Sequence, residues 1–225
     1  ASRFQSKKFS SPFSVSSINT SELASSFPRS TPESLMSHGA WVQKTNHGGG
    51  SPFIRGLTGY HTLLMIDGIR LNNSTFRSGP NQYLNTLDPL ILSNIEIIRS
   101  SGCVQYGSDA LGGTVHFLTK SPTFSTKGKV VFDPRIISKY VSQGLNSINK
   151  TVSASLFPGM ERIVRGEAMV SGTNIAFYGG IGTKKFDDID AAATLGCLKP
   201  NGYDEFDADA KLVLRSKGGR HLLTA

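Results

Sequence analysis

The sequence predicts an α+β unit over about the first half of the chain, followed by antiparallel β-strands. Three observations lead to this fold class. Capping signals mark two short helices near the N-terminus, and short strands with glycine-bearing turns fill residues 40–120. From about Lys127 onward, small or polar residues alternate with apolar ones. Composition agrees, because only 18% of the 225 residues are charged and 24 are glycine, which suits a turn-rich β protein.

The N-terminal elements are predicted from side-chain period and capping residues. The stretch "PFSVSSIN" alternates apolar and polar residues and therefore predicts a strand. The helix candidates "TSELASSF" and "STPESLMSHG" follow, and Gly39 is the predicted stop of the second. Their candidate N-caps are Thr20 or Ser21 for the first helix and Ser30 or Thr31 for the second.

The middle of the chain predicts a compact mixed unit. The unbroken apolar run "HTLLMID" is typical of a strand that is buried on both faces. It runs into Asp67-Gly68, a hairpin turn signal that is followed at once by a second strand. A turn at Asp88-Pro89, a short helical stretch and a strand over residues 95–99 come next.

The second half carries a two-faced pattern that is clearest in "FDADAKLVL". Apolar and small residues of this segment fall on one face, and acidic and basic residues fall mainly on the other. One face of such a strand can meet lipid while the other meets water, and strands of about 9–11 residues are long enough to cross a bilayer. No apolar run reaches the roughly 18 residues that a membrane helix needs.

Charge and cysteine content exclude several classes of site. The formal charge of +8 comes from scattered single and paired basic residues, so we expect no nucleic-acid partner. Cys103 and Cys197 lie far apart, without a CxxC or a His/Cys cluster, and we expect neither a disulfide framework, nor a metal site, nor a cofactor. The acidic cluster in "KKFDDID" is interleaved with lysines, as in a solvated loop.

Enzyme motifs are incomplete. Gly48-Gly49-Gly50 is not followed by the Gly-Lys-Ser/Thr of a phosphate loop, and an extended segment rather than a helix comes next. Ser108 beside Asp109 suggests a hydrolase, but the spacing of a nucleophile elbow is broken and no histidine has a diagnostic context. We therefore expect no enzymatic activity.

Three long blocks together resemble a known family. They are "SPFIRGLTGYHTLLMIDGIRLNN", "FRSGPNQYLNTLDPLILSNIEIIRS" and "VQYGSDALGGTVHFLTK". In order and spacing they resemble the plug domain of TonB-dependent outer-membrane receptors. The tail, particularly "GYDEFDADAKLVL", is similar to the opening strands of the barrel that surrounds such a plug.

The resemblance implies a domain organisation and a location. Residues 1–9 are an N-terminal extension, residues 10–122 are the plug, and residues 123–225 supply about five or six barrel strands. The family closes a barrel of roughly 22 strands, and an open sheet would leave unpaired backbone groups in hydrocarbon at several kcal/mol each. We therefore expect the barrel to be incomplete in this chain, and the chain to be a fragment or a truncated product, in the outer membrane of a Gram-negative bacterium.

The implied function is active uptake of a scarce ligand, such as an iron chelate, haem or cobalamin. The implied partners are a TonB-type energy-coupling protein, a metal-chelate or haem-like ligand, and outer-membrane lipid. No TonB box is recognisable in "ASRFQSKKFS", and Arg99-Ser100-Ser101 stands where the family usually has Arg-Gly-Pro. The alternative function is a soluble β-type binding or adhesion module, which would not require detergent.

The resemblance also implies roles for individual residues. Ligand contact is expected in two loops, at His47, Asn72, Asn73, Phe76, Arg77, Asn81, Gln82 and Tyr83. Amides, a cation and aromatic rings suit an anionic or polar chelate. Structural plug roles are expected for Arg55, Gly56, Asp67, Gly68, Arg99, Tyr106, Gly107, Asp109, Gly112 and Gly113. In the family, plug arginines face the lumen and pair with acids of the barrel.

Overall fold

The chain divides into two compact units, Ala1–Lys120 and Ser121–Ala225. The computed structural model describes residues 13–36, 38–44, 49–72, 83–126, 128–142, 160–190, 197–198, 200–216 and 222–224. The alternating segment "NKTVSASLF" also predicts a strand, and it lies outside these residues. None of the helices in the described part of the chain is long and apolar enough to cross a membrane.

The first unit begins with a strand and two short helices. Its early elements are β1 (Val15–Asn19), α1 (Thr20–Ser26) and α2 (Thr31–Met36). The predicted cap of the first helix is wrong, because Asn19 takes that place. Its side chain accepts the amide of Glu22, whose carboxylate accepts the amide of Asn19, so each satisfies an otherwise unpaired donor.

A five-stranded mixed sheet forms the centre of the first unit. The strands β4 (Thr62–Ile66), β5 (Ile69–Arg70), β6 (Leu92–Ile98) and β7 (Gly113–Thr119) join β1 in the order β1-β6-β7-β4-β5. Only β4 and β7 are parallel. A separate hairpin pairs β2 (Trp41–Lys44) with β3 (Gly50–Phe53). Short 3-10 turns cover Gly59–His61, Tyr83–Thr86, Pro89–Ile91 and Ser108–Ala110, and α3 covers Cys103–Tyr106.

The two faces of this sheet bury different clusters. The larger core contains the side chains that alternate on one face, among them Ile18, Ile95 and Phe117, which lie in one row across β1, β6 and β7. The smaller cluster on the other face joins Leu63 and Met65 to Ala110. Because β4 contributes to both clusters, the prediction that its apolar run is buried on both faces is confirmed.

The second unit is built on a five-stranded antiparallel sheet. Its strands are β8 (Val131–Ser142), β9 (Met160–Ser171), β10 (Ile175–Phe186), β13 (Tyr203–Arg215) and β14 (Leu222–Thr224), in the order β14-β13-β10-β9-β8. A small separate ladder pairs β11 (Ile189–Asp190) with β12 (Cys197–Leu198). The predicted α+β unit followed by antiparallel strands is confirmed.

Candidate functional site

An open cleft of about 440 Å³ in the first unit is lined by two arginines and two aromatic rings. Trp41 and Phe53 meet edge to face across the β2–β3 hairpin, with ring centroids 4.7 Å apart. Arg99 is anchored by its guanidinium, which donates to the Ser16 hydroxyl at 2.5 Å. Within the described residues, neither Arg99 nor Arg55 has an acidic partner at salt-bridge distance. The cleft is therefore a cationic surface.

Arg55 projects from a turn that requires an unusual backbone. Ile54 and Leu57 form an isolated antiparallel bridge, and the two residues between them have φ of 55° at Arg55 and 80° at Gly56. Positive φ is unfavourable for a side chain with a Cβ, so the surrounding turn must hold Arg55 in place. Arg55 is exposed, and the structure presents it at the rim of the cleft.

Asp67 and Gly68 form the predicted two-residue hairpin turn between β4 and β5. Both have positive φ, 47° and 86°, as a type I′ turn requires. The Asp67 carboxylate accepts the Thr119 amide at 2.9 Å and the Thr119 hydroxyl at 2.5 Å. These bonds tie the turn to the end of β7, a partner that sequence reasoning did not identify.

His116 holds the other half of the same turn. The Gly68 amide donates to Nε2 of His116 at 2.9 Å, so the neutral ring with its proton on Nδ1 is the form that fits. Burial lowers the pKa of His116 below its ordinary value of 6.5, and the negative charges of Glu96 and Asp67 oppose this only in part. Glu96 lies directly opposite His116 across β6 and β7.

Arg70 clamps the segment that contains Tyr106, Gly107 and Asp109. One guanidinium nitrogen lies 3.0 Å from Oδ2 of Asp109, and the other donates to the Tyr106 carbonyl at 2.6 Å. Gly107 is required because a Cβ there would lie 2.8 Å from the guanidinium and its φ is 91°. The sequence signal for Arg70 is its place two residues after the Asp-Gly turn, and it was not among the predicted motif residues.

The Gly112-Gly113 pair is needed for close approach of the backbone. A Cβ on Gly113 would lie 2.4 Å from the Ile98 carbonyl oxygen, and one on Gly112 would lie 2.9 Å from that of Ile54. Backbone atoms at such distances cannot move aside without breaking the sheet. The pair thus lets β7 enter between neighbouring segments.

Most of the predicted ligand residues lie outside the described part of the chain: His47, Asn73, Phe76, Arg77, Asn81 and Gln82. For Tyr83 only the backbone is described, at the start of a 3-10 turn. Asn72 is buried, and its amide accepts from the Leu64 backbone amide at 2.9 Å and donates to the Thr62 carbonyl at 3.0 Å. The structure therefore gives Asn72 an anchoring position beside β4.

The sheet of the second unit carries a charged network on one face. Arg165 is fully buried and contacts Glu167, Tyr178 and Asp209 from three neighbouring strands. Lys184, also buried, lies 2.7 Å from Glu205 and 3.3 Å from Asp207. Sequence reasoning identified the acidic face of β13 but not these partners, because strand register is needed to bring them together.

The opposite face of the same sheet is apolar and exposed. Its large side chains are Phe132, Ile136, Val164, Phe177, Ile181 and Phe206, between 37% and 81% exposed. Tyr140, Arg162, Lys185 and Asp204 lie in one row at one end of this face. Apart from this end row, the two faces of the sheet separate the charged network from the exposed apolar surface. No group of His, Cys, Asp or Glu in the described residues could hold a metal ion.

Sequence comparison identifies related receptors. A family model for the TonB-dependent receptor plug domain matches residues 7–114. An iron-regulated outer membrane virulence protein of Vibrio cholerae is 30% identical over 164 residues, which cover 69% of this chain and 24% of that protein. A vitamin B12 transporter of Vibrio vulnificus is 34% identical over 77 residues, 34% of this chain and 12% of the transporter.

Structure comparison extends the likeness to the second unit. The ferric enterobactin receptor of Pseudomonas aeruginosa has a TM-score of 0.65 at 18% identity, over 92% of this chain and 31% of the receptor. A siderophore receptor from the same organism has a TM-score of 0.59 at 19% identity, over 92% of this chain and 33% of the receptor. At these identities the likeness shows the fold.

The chain thus spans about a third or less of the relatives and structures that it matches. The plug match covers the first unit, and the solved receptors reproduce the strand sheet that follows it. The chain thus carries the plug domain of the TonB-dependent receptor family over residues 7–114, and the antiparallel strands that follow have the fold of the solved receptors.

Proposed function

We propose that this protein acts in the outer membrane as a receptor for the energised uptake of a scarce ligand. The candidate ligands are an iron chelate, haem or cobalamin. The relatives are named as an iron-regulated outer membrane protein and a vitamin B12 transporter, which supports this class of ligand without selecting one. The plug would gate the lumen of the barrel.

The observation that carries the proposal is the two-faced sheet of the second unit. Its exposed apolar face is of the kind that contacts lipid, while the charged face is of the kind that lines an aqueous lumen. A large exposed apolar surface on a soluble protein would promote association. This feature favours the membrane receptor over the soluble β-type module.

Ligand recognition is proposed for two loops of the plug, around residues 46–51 and 72–83. In this hypothesis His47, Arg77 and Tyr83 contact the ligand, and Asn73, Phe76, Asn81 and Gln82 complete the surface. Asn72 anchors the second loop, as its bonds to β4 indicate. A guanidinium and aromatic rings suit an anionic chelate, because charge-assisted bonds to Arg are strong and directional.

The energy-coupling partner is proposed to be a TonB-type protein.

Arg55 and Arg99 would face the wall of the barrel and pair with its acids. The absence of an acidic partner for either arginine in the described residues supports this role, since an exposed guanidinium cluster has a carboxylate-rich surface as its natural complement. The domain boundaries proposed above, 10–122 for the plug and 123–225 for the barrel strands, fit this division of labour.

The proposal is tested by uptake in a strain in which the gene for this protein is deleted. Labelled ferric siderophores, haem and cobalamin are supplied separately, with and without an uncoupler of the proton-motive force. We expect uptake of one ligand to depend on both the gene and the proton-motive force. In the complemented strain, His47→Ala, Arg77→Ala and Tyr83→Ala should each weaken binding, with about tenfold or more for Arg77→Ala.

Ser78→Ala in the same loop is the control and should leave affinity unchanged. If no ligand depends on the gene, the receptor function is wrong. If uptake depends on the gene but the three variants bind as the wild type does, only the assignment of the ligand residues is wrong.

A further inference from the structure

The strands of the second unit need a device that sets their register. Alternation places charged and apolar residues on opposite faces, but a slip of two residues preserves this alternation completely. The apolar face selects the register only weakly in the middle of the sheet, because Gly166, Ala168, Gly179, Ala208 and Ala210 are small and Ile181 lies opposite two of them, Gly166 and Ala208. Small side chains offer little shape by which one register differs from the next.

Arg165 supplies contacts that depend on register. It lies on β9, and its guanidinium reaches across β10 to Oδ1 of Asp209 on β13 at 2.5 Å. On the way it donates to the Tyr178 hydroxyl at 3.2 Å, and its Nε lies 3.3 Å from Oε2 of Glu167. Tyr178 also donates to Glu167 at 2.7 Å, so the network closes on itself.

Gly180 creates the space through which the guanidinium passes. In the register of the sheet it lies between Glu167 on one side and Asp209 on the other. A Cβ at this position would lie 2.3 Å from a terminal nitrogen of Arg165 and 2.8 Å from its central carbon. Any other residue at position 180 would therefore displace the guanidinium from its acids.

Both two-residue slips of β10 against β9 lose this arrangement. One slip sets Tyr178 opposite Glu167, which fills the gap with a phenol ring. The other sets Lys184 opposite Arg165, and like charges directly opposite one another destabilise a strand pair. In the observed register Lys184 lies opposite Ile163 and binds Glu205 on its other side. In the observed register both buried cations have acidic partners, Asp209 for Arg165 and Glu205 for Lys184.

We propose that Arg165 and Gly180 form a register lock for β9, β10 and β13. The lock contributes specificity rather than net stability, because burying two cations costs desolvation that their ion pairs offset only in part. Register selection is the best-attested use of buried polar groups. During assembly, the lock would reject sheets that have the correct faces but are displaced by two residues.

The test uses Gly180→Ala in the outer-membrane protein, produced in a Gram-negative host with Cys103 and Cys197 replaced by serine. Register is read by disulfide trapping on the apolar face. The pair Val164→Cys and Thr183→Cys reports the observed register. The pair Gly166→Cys and Thr183→Cys reports the slip that sets Lys184 opposite Arg165. We expect Gly180→Ala to lower the yield of the first cross-link about tenfold, as expected for overpacking of a filled site, and to raise the second.

Gly182→Ala is the matched control on the same face and strand. A Cβ there meets Arg165 only at ordinary contact distances of 3.6 and 3.7 Å, so both cross-links should form as in the wild type. If only intrinsic strand preference mattered, both substitutions would raise the yield of the first cross-link, because alanine costs less backbone entropy than glycine. A Gly180→Ala protein that cross-links like the control would overturn the lock.

A second background separates the guanidinium from other effects of the added methyl group. In Arg165→Met the long side chain remains but the charge is lost, so adding Gly180→Ala should change the cross-link ratio by less than about twofold. Arg165→Met alone is the reference, which removes any general loss of assembly from the comparison. An equal effect of Gly180→Ala in both backgrounds would also overturn the lock.

Discussion

Asp67, Gly68 and His116 show how a local signal acquires a distant partner. The Asp-Gly pair specifies a tight turn by its backbone preferences alone. Its stability in the folded chain also depends on Thr119 and His116, about fifty positions further along the chain. The turn can be predicted from the residues Asp67 and Gly68 alone, whereas its contacts with Thr119 and His116 depend on the parallel pairing of β4 with β7.

His116 makes the stability of the plug depend on pH. Its folded pKa lies below the ordinary value of 6.5, so the contribution is fully present above pH 6.5 and is lost as pH falls through the folded pKa. Protonation places a proton on the nitrogen that accepts from Gly68. We expect the urea midpoint, followed by fluorescence of the single tryptophan, to fall between pH 7.5 and 5.5.

His116→Gln is the appropriate comparison for this pH effect. An amide has no proton to gain over that range, so the variant should show a smaller fall of the midpoint. Equal falls in the two proteins would assign the pH dependence to other groups.

At the scale of elements, the short β5 strand acts through one side chain. β5 contributes only two residues to the sheet, yet Arg70 on it fixes the turn that follows α3. This turn includes Gly107 and Ala110, and Ala110 belongs to the smaller core cluster. The two-residue edge strand β5 thus links the sheet to the turn whose Ala110 packs in the smaller core cluster.

Arg70→Ala should cost more stability than Asp109→Ala. The ion pair is partly exposed, so it contributes less than about 1 kcal/mol, whereas Arg70 also satisfies the Tyr106 carbonyl, for a total of about 1–2 kcal/mol. Denaturant unfolding measures the difference, and hydrogen exchange of residues 102–110 should rise only for Arg70→Ala. Equal losses in both variants would mean that the carbonyl contact contributes nothing.

The same scale explains the misplaced helix cap. Thr20 and Ser21 are good capping residues by type, but Asn19 ends β1 and pairs with Asn94 in the sheet. The helix therefore begins at the first residue that the strand releases. Residue type alone predicts that a polar capping residue stands near this position, and strand pairing makes Asn19 the N-cap.

At the scale of the whole molecule, the proposed membrane location depends on the exposed apolar face of the strand sheet. Ile181 is 62% exposed in the middle of that face. Ile181→Arg should reduce insertion into the outer membrane, at a cost of about 2–4 kcal/mol for an arginine near the midplane of the bilayer. Membrane fractionation and heat-modifiable mobility in gels measure the loss.

Asp133→Arg is the control for the opposite face. Asp133 lies on the charged face, opposite Met169 across β8 and β9, so the substitution exchanges one hydrated charge for another. It should leave insertion near the wild-type level. Similar losses for the two variants would contradict the assignment of the faces.

The sequence by itself determined the fold class, the order of the strands in the first unit, the Asp67-Gly68 turn and the alternation along β13. Each of these depends on neighbours in the chain, through backbone preferences and side-chain period. It also carried the resemblance to the receptor family, because that depends on the order of motifs.

Only the tertiary structure decided the anchoring of Asn72, the clamp of Arg70, the acceptor role of His116 and the network around Arg165 and Gly180. These depend on which strands pair and in which register, over separations of up to about forty-eight residues. A pattern of period two is unchanged by a shift of two residues. The register is a property of packed side chains and of the space a missing Cβ leaves, and no local pattern contains it.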